Sequence, residues 1–327
     1  MSRFRILSLD GGGIKGTFTA SVVANLENMA GTPLAPYFDL ITGTSTGGII
    51  ALALGSGLSG SEILEFYMKK GPQIFPSTGM HQRLQHTMKH LVRPKHSSEV
   101  LKKHLVEVFG KKLLGESGSR LVIPCFDCNA GRVQLFKTAH HARFVQDYKM
   151  PTVDIALATS AAPTYFSVFT SQDGQSFLDG GVWANCPVLV GLLEAIYVLR
   201  INPLDIDVLS IGTTDAPFDI TGRRRIGGIL SWSSTIVAVL MQAQIDAAVA
   251  QAQVVTGRRL LRIDAIARKG RFRLDDARQI AELSGLGAYH AKQMFEAVAD
   301  RFLDTPADPF VPIHKIVSSD IRTAGTA

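Results

Sequence analysis

The stretch FDLITGTSTGGIIAL, residues 38–52, reads as a short apolar strand, a glycine-flanked turn and an apolar helix. Its centre, Gly43-Thr44-Ser45-Thr46-Gly47, fits the G-x-S-x-G pattern in which a serine is lifted onto a sharp strand-to-helix turn. The flanking glycines remove Cβ atoms that would clash in so tight a bend. The Ser45 hydroxyl then stands at the positive end of the following helix, where developing negative charge is favoured. Ser45 is therefore a candidate nucleophile.

Upstream, the apolar strand Phe4–Leu9 leads into Asp10-Gly11-Gly12-Gly13-Ile14-Lys15-Gly16 and a predicted helix from Thr17 to Met29. Consecutive glycines leave backbone amides bare, so the loop suits either a phosphate or the oxyanion of acyl transfer. It lacks the lysine and hydroxyl ending of a Walker loop and the G-x-G-x-x-G spacing of a dinucleotide site. The serine downstream favours the oxyanion reading.

A serine needs a base to attack at neutral pH. The order Ser45, Asp179, then His290 or His314 would satisfy an α/β-hydrolase triad, but that fold places its elbow after several strands, and here one or two precede Ser45. His81, His86, His90 and His96 crowd a basic stretch, and His104, His140 and His141 sit in helix-like or loop-like surroundings. These are read as solvated or packed. Asp179, in Phe177-Leu178-Asp179-Gly180-Gly181-Val182, has apolar residues before it and glycines after it, which puts a carboxylate at a strand mouth where another loop can come close.

Together these motifs resemble the patatin-like phospholipases, with their D-G-G-G-x-R/K-G loop, G-x-S-x-G elbow and D-G-G/A motif, in that order and spacing: Asp10 to Gly16, Gly43 to Gly47, Asp179 to Gly181. Thr159-Ser160-Ala161-Ala162-Pro163-Thr164-Tyr165-Phe166, Asn185-Cys186-Pro187 and Leu209-Ser210-Ile211-Gly212-Thr213-Thr214 add to the likeness, which covers roughly the first two thirds of the chain. Lys15 replaces the commoner arginine, Cys186 a frequent asparagine, and Thr214 a usual glycine. The resemblance implies an α/β three-layer fold, with a central mixed, mainly parallel sheet between helices. It further implies a Ser45–Asp179 dyad without histidine or metal, and an oxyanion hole from the amides of Gly11, Gly12 and Gly13. Residues 1–215 would form the catalytic unit, and 216–327 a helical, basic extension on the same core that catalysis itself does not need.

The 327 residues carry a formal charge of +6. That balance suits work on anionic surfaces or capture of an anionic ligand. The basic residues have neither a groove-reading motif nor interleaved aromatics, which argues against a nucleic-acid polymer as partner. Cys125, Cys128 and Cys186 are an odd set that speaks for a reducing cytosol. Cys125-Phe126-Asp127-Cys128 with His140 and His141 imitates a zinc spacing, but residues three apart on a strand point to opposite faces. The first strand begins almost at Met1, so no signal peptide is expected; the apolar run Val188–Ile201 contains Glu194 and is too short to span a membrane. It reads as a buried helix opened by Pro187.

Helices are expected near Ser61–Lys70 and Ser98–Phe109, a hairpin from Leu121–Cys128 and Arg132–Lys137, a short helix at Val153–Ser160 and a strand at Asp207–Ile211. The region Phe75–Ser98 reads either as a loop or cap beside the active site or as a solvated insertion. Beyond Thr214, Ile226–Val255 has helical character, with small residues at Ala238, Ala243, Ala247, Ala248 and Ala252 that suit core packing or homo-oligomerisation. A second helix is expected to open at Leu274, with Asp275 as cap and a kink at Gly285 or Gly287. Arg258, Arg259, Arg262, Arg268, Lys269, Arg271 and Arg273 read as a solvated face, with Arg223, Arg224 and Arg225 as candidate ligand contacts. The basic extension is similar to that of the cyclic-oligonucleotide-activated phospholipases of bacterial anti-phage (CBASS) systems. That likeness implies a cytoplasmic enzyme acting peripherally on inner-membrane phospholipid and switched on by a cyclic dinucleotide or trinucleotide. Two rival readings are a constitutive lysophospholipase or esterase, and a non-catalytic nucleotide-binding protein.

Overall fold

The computed structural model describes residues 3–76, 94–214, 236–267 and 271–317. Arg223, Arg224 and Arg225, His81, His86 and His90, and most of the expected cap lie outside the described residues.

Strand β1 (Phe4–Leu9) is central and hydrogen-bonds in parallel to β2 (Leu40–Gly43) on one side and β7 (Ile206–Ile211) on the other. The helix α1 (Gly16–Ala30) follows the glycine loop, and α2 (Thr46–Gly55) follows the elbow. Next come α3 (Gly60–Ile74), α4 (Ser98–Phe109), β3 (Leu121–Asp127) and β4 (Arg132–Lys137), which pairs antiparallel with β3. After α5 (Thr152–Thr159), β5 (Phe169–Thr170) and β6 (Ser176–Asp179) form a short antiparallel pair, and α6 (Gly181–Ala184) and α7 (Val188–Leu193) lead to β7. The expected buried helix from Val188 continues past Leu193 as a π-turn, Glu194–Val198. The last elements are α8 (Ile236–Val255), β8 (Leu260–Ile263) and α9 (Ile280–Phe302). The sheet runs β5-β6-β3-β2-β1-β7-β8, with β4 off this path on β3.

Alternation along β1 divides the core in two. Leu7 and Leu9 face α1, α2 and α9 through Phe18, Ile50 and Phe302, while Ile6 faces the opposite layer through Val188, Val190 and Ile245. The sheet thus lies between two helical layers, with the loops after β1 and β2 at one end of it. No helix among the described residues is long and apolar enough to cross a membrane.

The C-terminal third is more than a helical extension, because β8 completes the sheet beside β7, pairing Val208 with Leu260 through Ile211 with Ile263. Helix α9 packs along α1, and Arg301 ties it to the buried Asp207 carboxylate at 2.7 Å. The cap expected at Asp275 is instead made by Asp276, whose side chain accepts from the Arg278 amide ahead of a 3-10 turn. Asp275 sits in an ion pair with Lys95 at 2.7 Å.

Gly287 marks where α9 comes closest to α1. A Cβ there would sit 2.5 Å from the Phe18 carbonyl oxygen and 2.6 Å from Ser21 Cβ, whereas at Gly285 it would meet nothing within 4 Å. Gly287→Val is therefore expected to lower unfolding stability by about 1–3 kcal/mol or more, read from the urea midpoint. Gly285→Ala should leave it unchanged or raise it by up to ~1 kcal/mol through helix propensity alone.

Candidate active site

The elbow is built as its glycines require. Ser45 has φ 55° and ψ −121°, a left-sided conformation that a serine adopts only when its surroundings enforce it. A Cβ on Gly43 would run into the Gly47 carbonyl, and one on Gly47 would lie 2.6 Å from the Asp10 carbonyl oxygen. Glycine at both positions is thus a steric demand of the turn. The Ser45 amide donates to Thr159 Oγ1 at 3.1 Å, and the Thr159 hydroxyl donates to the Pro124 carbonyl at 2.7 Å, so fully buried Thr159 pins the elbow to β3. Thr44 Oγ1 donates to the Ala184 carbonyl at 2.6 Å and joins the elbow to the segment after Asp179.

Asp179 ends β6 opposite Cys125 of β3, with its amide bonded to the Ala161 carbonyl at 3.1 Å. The carboxylate is buried, and Oδ1 accepts from the Gly181 amide at 2.6 Å. Burial pushes its pKa up from 3.8 to about 6, against the pull of hydrogen bonds from the Ser45 hydroxyl and the Gly181 amide. A Cβ on Gly180 would lie 2.7 Å from the Pro124 carbonyl carbon, which explains the glycine directly after the acid. Ser45 and Asp179 are thus brought together. The histidines of the alternative triad are engaged elsewhere: His290 stands edge-on to Phe18, and His314 Nε2 lies 2.9 Å from the Ala142 carbonyl. The ring nitrogens of His140 face Thr138 and Glu194, each at 2.9 Å. Cys125 is buried and Cys128 exposed.

The glycine loop lies against the serine, since a Cβ built on Gly11 would be 3.3 Å from Ser45 Cβ. It departs from the expected three-amide cradle at its first member, because the Gly11 amide donates to the Asn185 carbonyl at 2.9 Å. The amides of Gly12 and Gly13 have no acceptor among the described residues. The Gly11 carbonyl accepts from Thr213 Oγ1 at 2.9 Å and Asn185 Nδ2 at 3.3 Å, the Ile14 amide donates to the Leu274 carbonyl at 2.9 Å, and Lys15 Nζ reaches the Thr214 carbonyl at 2.9 Å. Gly13 has φ 57°, and a side chain there would meet the Leu274 carbonyl. Gly16 leaves room for Thr46, whose Cγ2 would lie 2.8 Å from an added Cβ.

One charge assigned to a solvated face belongs inside. Arg262 of β8 is 16% exposed at its side chain and bonds Asp10 Oδ2 and Asp264 Oδ2, each at 2.6 Å, and Ser210 Oγ at 2.7 Å. Burial alone would lower its pKa, but the two carboxylates override that and keep the guanidinium charged. The legible signal was the alternation in Leu260-Leu261-Arg262-Ile263-Asp264, opposite charges two apart on one face of a short apolar strand. Thr159, Asn185 and Thr213 were visible only as members of longer motifs.

The profile of the family described as patatin-like phospholipase matches residues 7–192. A "cGAMP-activated phospholipase" of Pseudomonas aeruginosa is 36% identical over 243 residues, covering 74% of this chain and 72% of that protein. One of the same description from Vibrio cholerae is 34% identical over 265 residues, 74% of each chain. Among solved structures, VipD from Legionella pneumophila aligns over 91% of this chain and 67% of its own at 12% identity, with a TM-score of 0.47. With the loop, the elbow and the acid motif all inside the matched residues, the chain belongs to the patatin-like phospholipase family.

Proposed function

We propose that this lipid hydrolase is of phospholipase A type and works through a Ser45–Asp179 dyad, held inactive until a cyclic dinucleotide binds. The observation that carries the catalytic reading is a serine on a strained elbow beside a buried carboxylate, and burial pushes that carboxylate up to about 6, toward the range of a general base at neutral pH. Asp179 accepts the Ser45 proton as Oγ adds to the ester carbonyl. The tetrahedral oxyanion is met by the Gly12 and Gly13 amides, whose hydrogen bonds strengthen as charge develops. Collapse of the intermediate expels the lysolipid alkoxide, which takes the proton back from Asp179. Water then attacks the acyl-enzyme as the same carboxylate takes its proton, and collapse frees the fatty acid while Ser45 Oγ recovers that proton from Asp179.

The regulated reading is supported by relatives named cGAMP-activated phospholipase and by the risk that an unswitched phospholipase poses to its host's own membrane. Anti-phage defence and peripheral action at the inner membrane follow from that reading. Arg223, Arg224 and Arg225 remain its candidate phosphate contacts, since arginine forks match phosphate oxygens. Purified protein should be nearly silent on anionic phospholipid vesicles and release fatty acid when cGAMP is added. Full release without nucleotide, unchanged across cyclic dinucleotides and trinucleotides, would leave the constitutive lysophospholipase.

Ser45→Ala and Asp179→Asn should each cut turnover by roughly four orders of magnitude in a folded chain, and the double variant should be no worse, because the pair acts as one unit. Near-native turnover in Asp179→Asn would remove the dyad.

The base works only when ionised, so kcat on a soluble ester should rise with pH through an apparent pKa of about 6 and level off above it. Stability should move the other way. A carboxyl whose folded pKa exceeds its unfolded 3.8 stabilises the protein fully below that value and loses the contribution as pH rises through about 6. Ionised Asp179 then costs on the order of 3 kcal/mol at pH 8. Melting curves should show Asp179→Asn more stable than the parent at pH 8 and lose that advantage below about pH 4. An equal difference at both pH values would contradict the buried-carboxylate account.

A further inference from the structure

We infer that Arg262 is a positioning residue for the glycine loop, which makes β8, outside the span matched to the family, part of the hydrolytic machinery. The inference rests on the proposed role of the Gly12 and Gly13 amides.

Asp10 opens the loop and is 1% exposed; Arg262 is its only ion-pair partner among the described residues. Burial pushes the Asp10 carboxyl up, and the guanidinium beside it draws it back toward ionisation. The fork reaches Asp264 and Ser210 at the same time, so its place is fixed from three sides. Asp264 is fixed in turn, its Oδ1 accepting from the Thr214 amide at 3.0 Å and its own neighbour Ala265 at 2.9 Å. Gly212 makes room for this carboxylate, since a Cβ there would lie 2.6 Å from Asp264 Oδ1. The Thr214 carbonyl receives Lys15, on the far side of the glycines. Arg262 and Asp264 therefore hold both ends of the loop, Asp10 directly and Lys15 through Thr214.

Between those ends, the amides of Gly12 and Gly13 must point at an oxyanion that exists only in the transition state. Glycines impose little backbone preference of their own, so the direction of these amides is set by the anchors. A displacement of about 1 Å in such a group costs on the order of a hundredfold in rate. Losing the anchor should lower kcat and spare KM, because the ground-state carbonyl gains little from the hole.

The test uses full-length protein saturated with cGAMP, a short-chain soluble ester, and a fluorophosphonate whose reaction with Ser45 also passes through an oxyanion-like state. Arg262→Met should reduce kcat and the phosphonylation rate by about tenfold to a hundredfold, with KM within about twofold. Arg262→Lys keeps the charge and loses the planar fork; it should fold and show the same split to a smaller degree. Added guanidinium should recover part of the rate in Arg262→Ala and leave Arg271→Gln, an exposed partner of Glu282, at the parental rate. If Arg262→Met does not fold, the lysine variant and the guanidinium recovery decide. Parental kcat in folded Arg262→Lys with no recovery in Arg262→Ala, or a loss confined to KM, would overturn the inference while an inactive Ser45→Ala left the proposed function standing. Activity surviving in Ser45→Ala would instead remove the proposed function itself.

Discussion

Two strands of opposite direction share one edge of β3, and their C-terminal ends face each other across it. β4 occupies the other edge from Val122 to Asp127, so β2, paired at Leu121 and Val122, and β6, paired from Cys125 to Asp127, must lie in line. The residues between, Ile123 and Pro124, face the gap where β2 gives way to the elbow and β6 ends on the acid. A parallel strand alone would deliver the serine, as in any strand–turn–helix nucleophile. The antiparallel β6 brings a carboxylate to the same spot from the other direction, which allows a serine and an aspartate to meet without a third residue. Pro124 suits this place: having no backbone N–H, it donates nothing, while its carbonyl accepts from Thr159.

The arrangement holds two unfavourable states in place. Ser45 is kept at φ 55°, a conformation that costs on the order of 1–3 kcal/mol, and Asp179 is kept where ionisation is resisted. Neither persists unless the surroundings over-determine it. Here Thr159 fixes the elbow's amide, Thr44 ties it to Ala184, and Gly181 gives the carboxylate a donor. The same burial that resists ionisation makes the carboxylate a stronger base, so the energetic cost and the proposed catalytic use have one cause. An exposed aspartate would be cheaper to ionise and too weak a base at neutral pH.

The sequence made the elbow, glycine loop and acid legible because each needs glycine at fixed offsets for steric reasons, and such requirements survive as local patterns. The strands at Phe4–Leu9 and Arg132–Lys137, and the helix from Ser98 to Phe109, were legible from periodicity for the same reason. Contacts between distant segments were not. That the Gly11 amide is spent on Asn185, 174 residues away, has no local signature. The helix start illustrates a finer limit: Asp275 and Asp276 are adjacent and chemically alike, and tertiary pairing with Lys95 takes one while the backbone takes the other. The alternation that marks β8 spans only four strand residues inside a basic stretch, too short a period to override the reading of a solvated face.

The basic surplus divides differently from what composition alone conveys. Among the described residues of the C-terminal third, Arg262 binds two carboxylates, Arg271 pairs with Glu282, Arg278 with Asp276 and Arg301 with Asp207, while Arg259 donates to the carbonyls of Ile206 and Pro203. The charge on Arg259, Arg262 and Arg301 is cement between α9, β8 and the sheet. A guanidinium committed to a buried carboxylate is a poor recruit for an anionic surface, because leaving it would strand the acid in a low dielectric. The formal charge of +6 therefore overstates the cation density that these residues offer to phosphates. What Arg262 does supply is an anchor for Asp10 at the end of the sheet where the glycine loop begins, and the proposed hole of bare amides would depend on that rigidity more than on nearby positive charge.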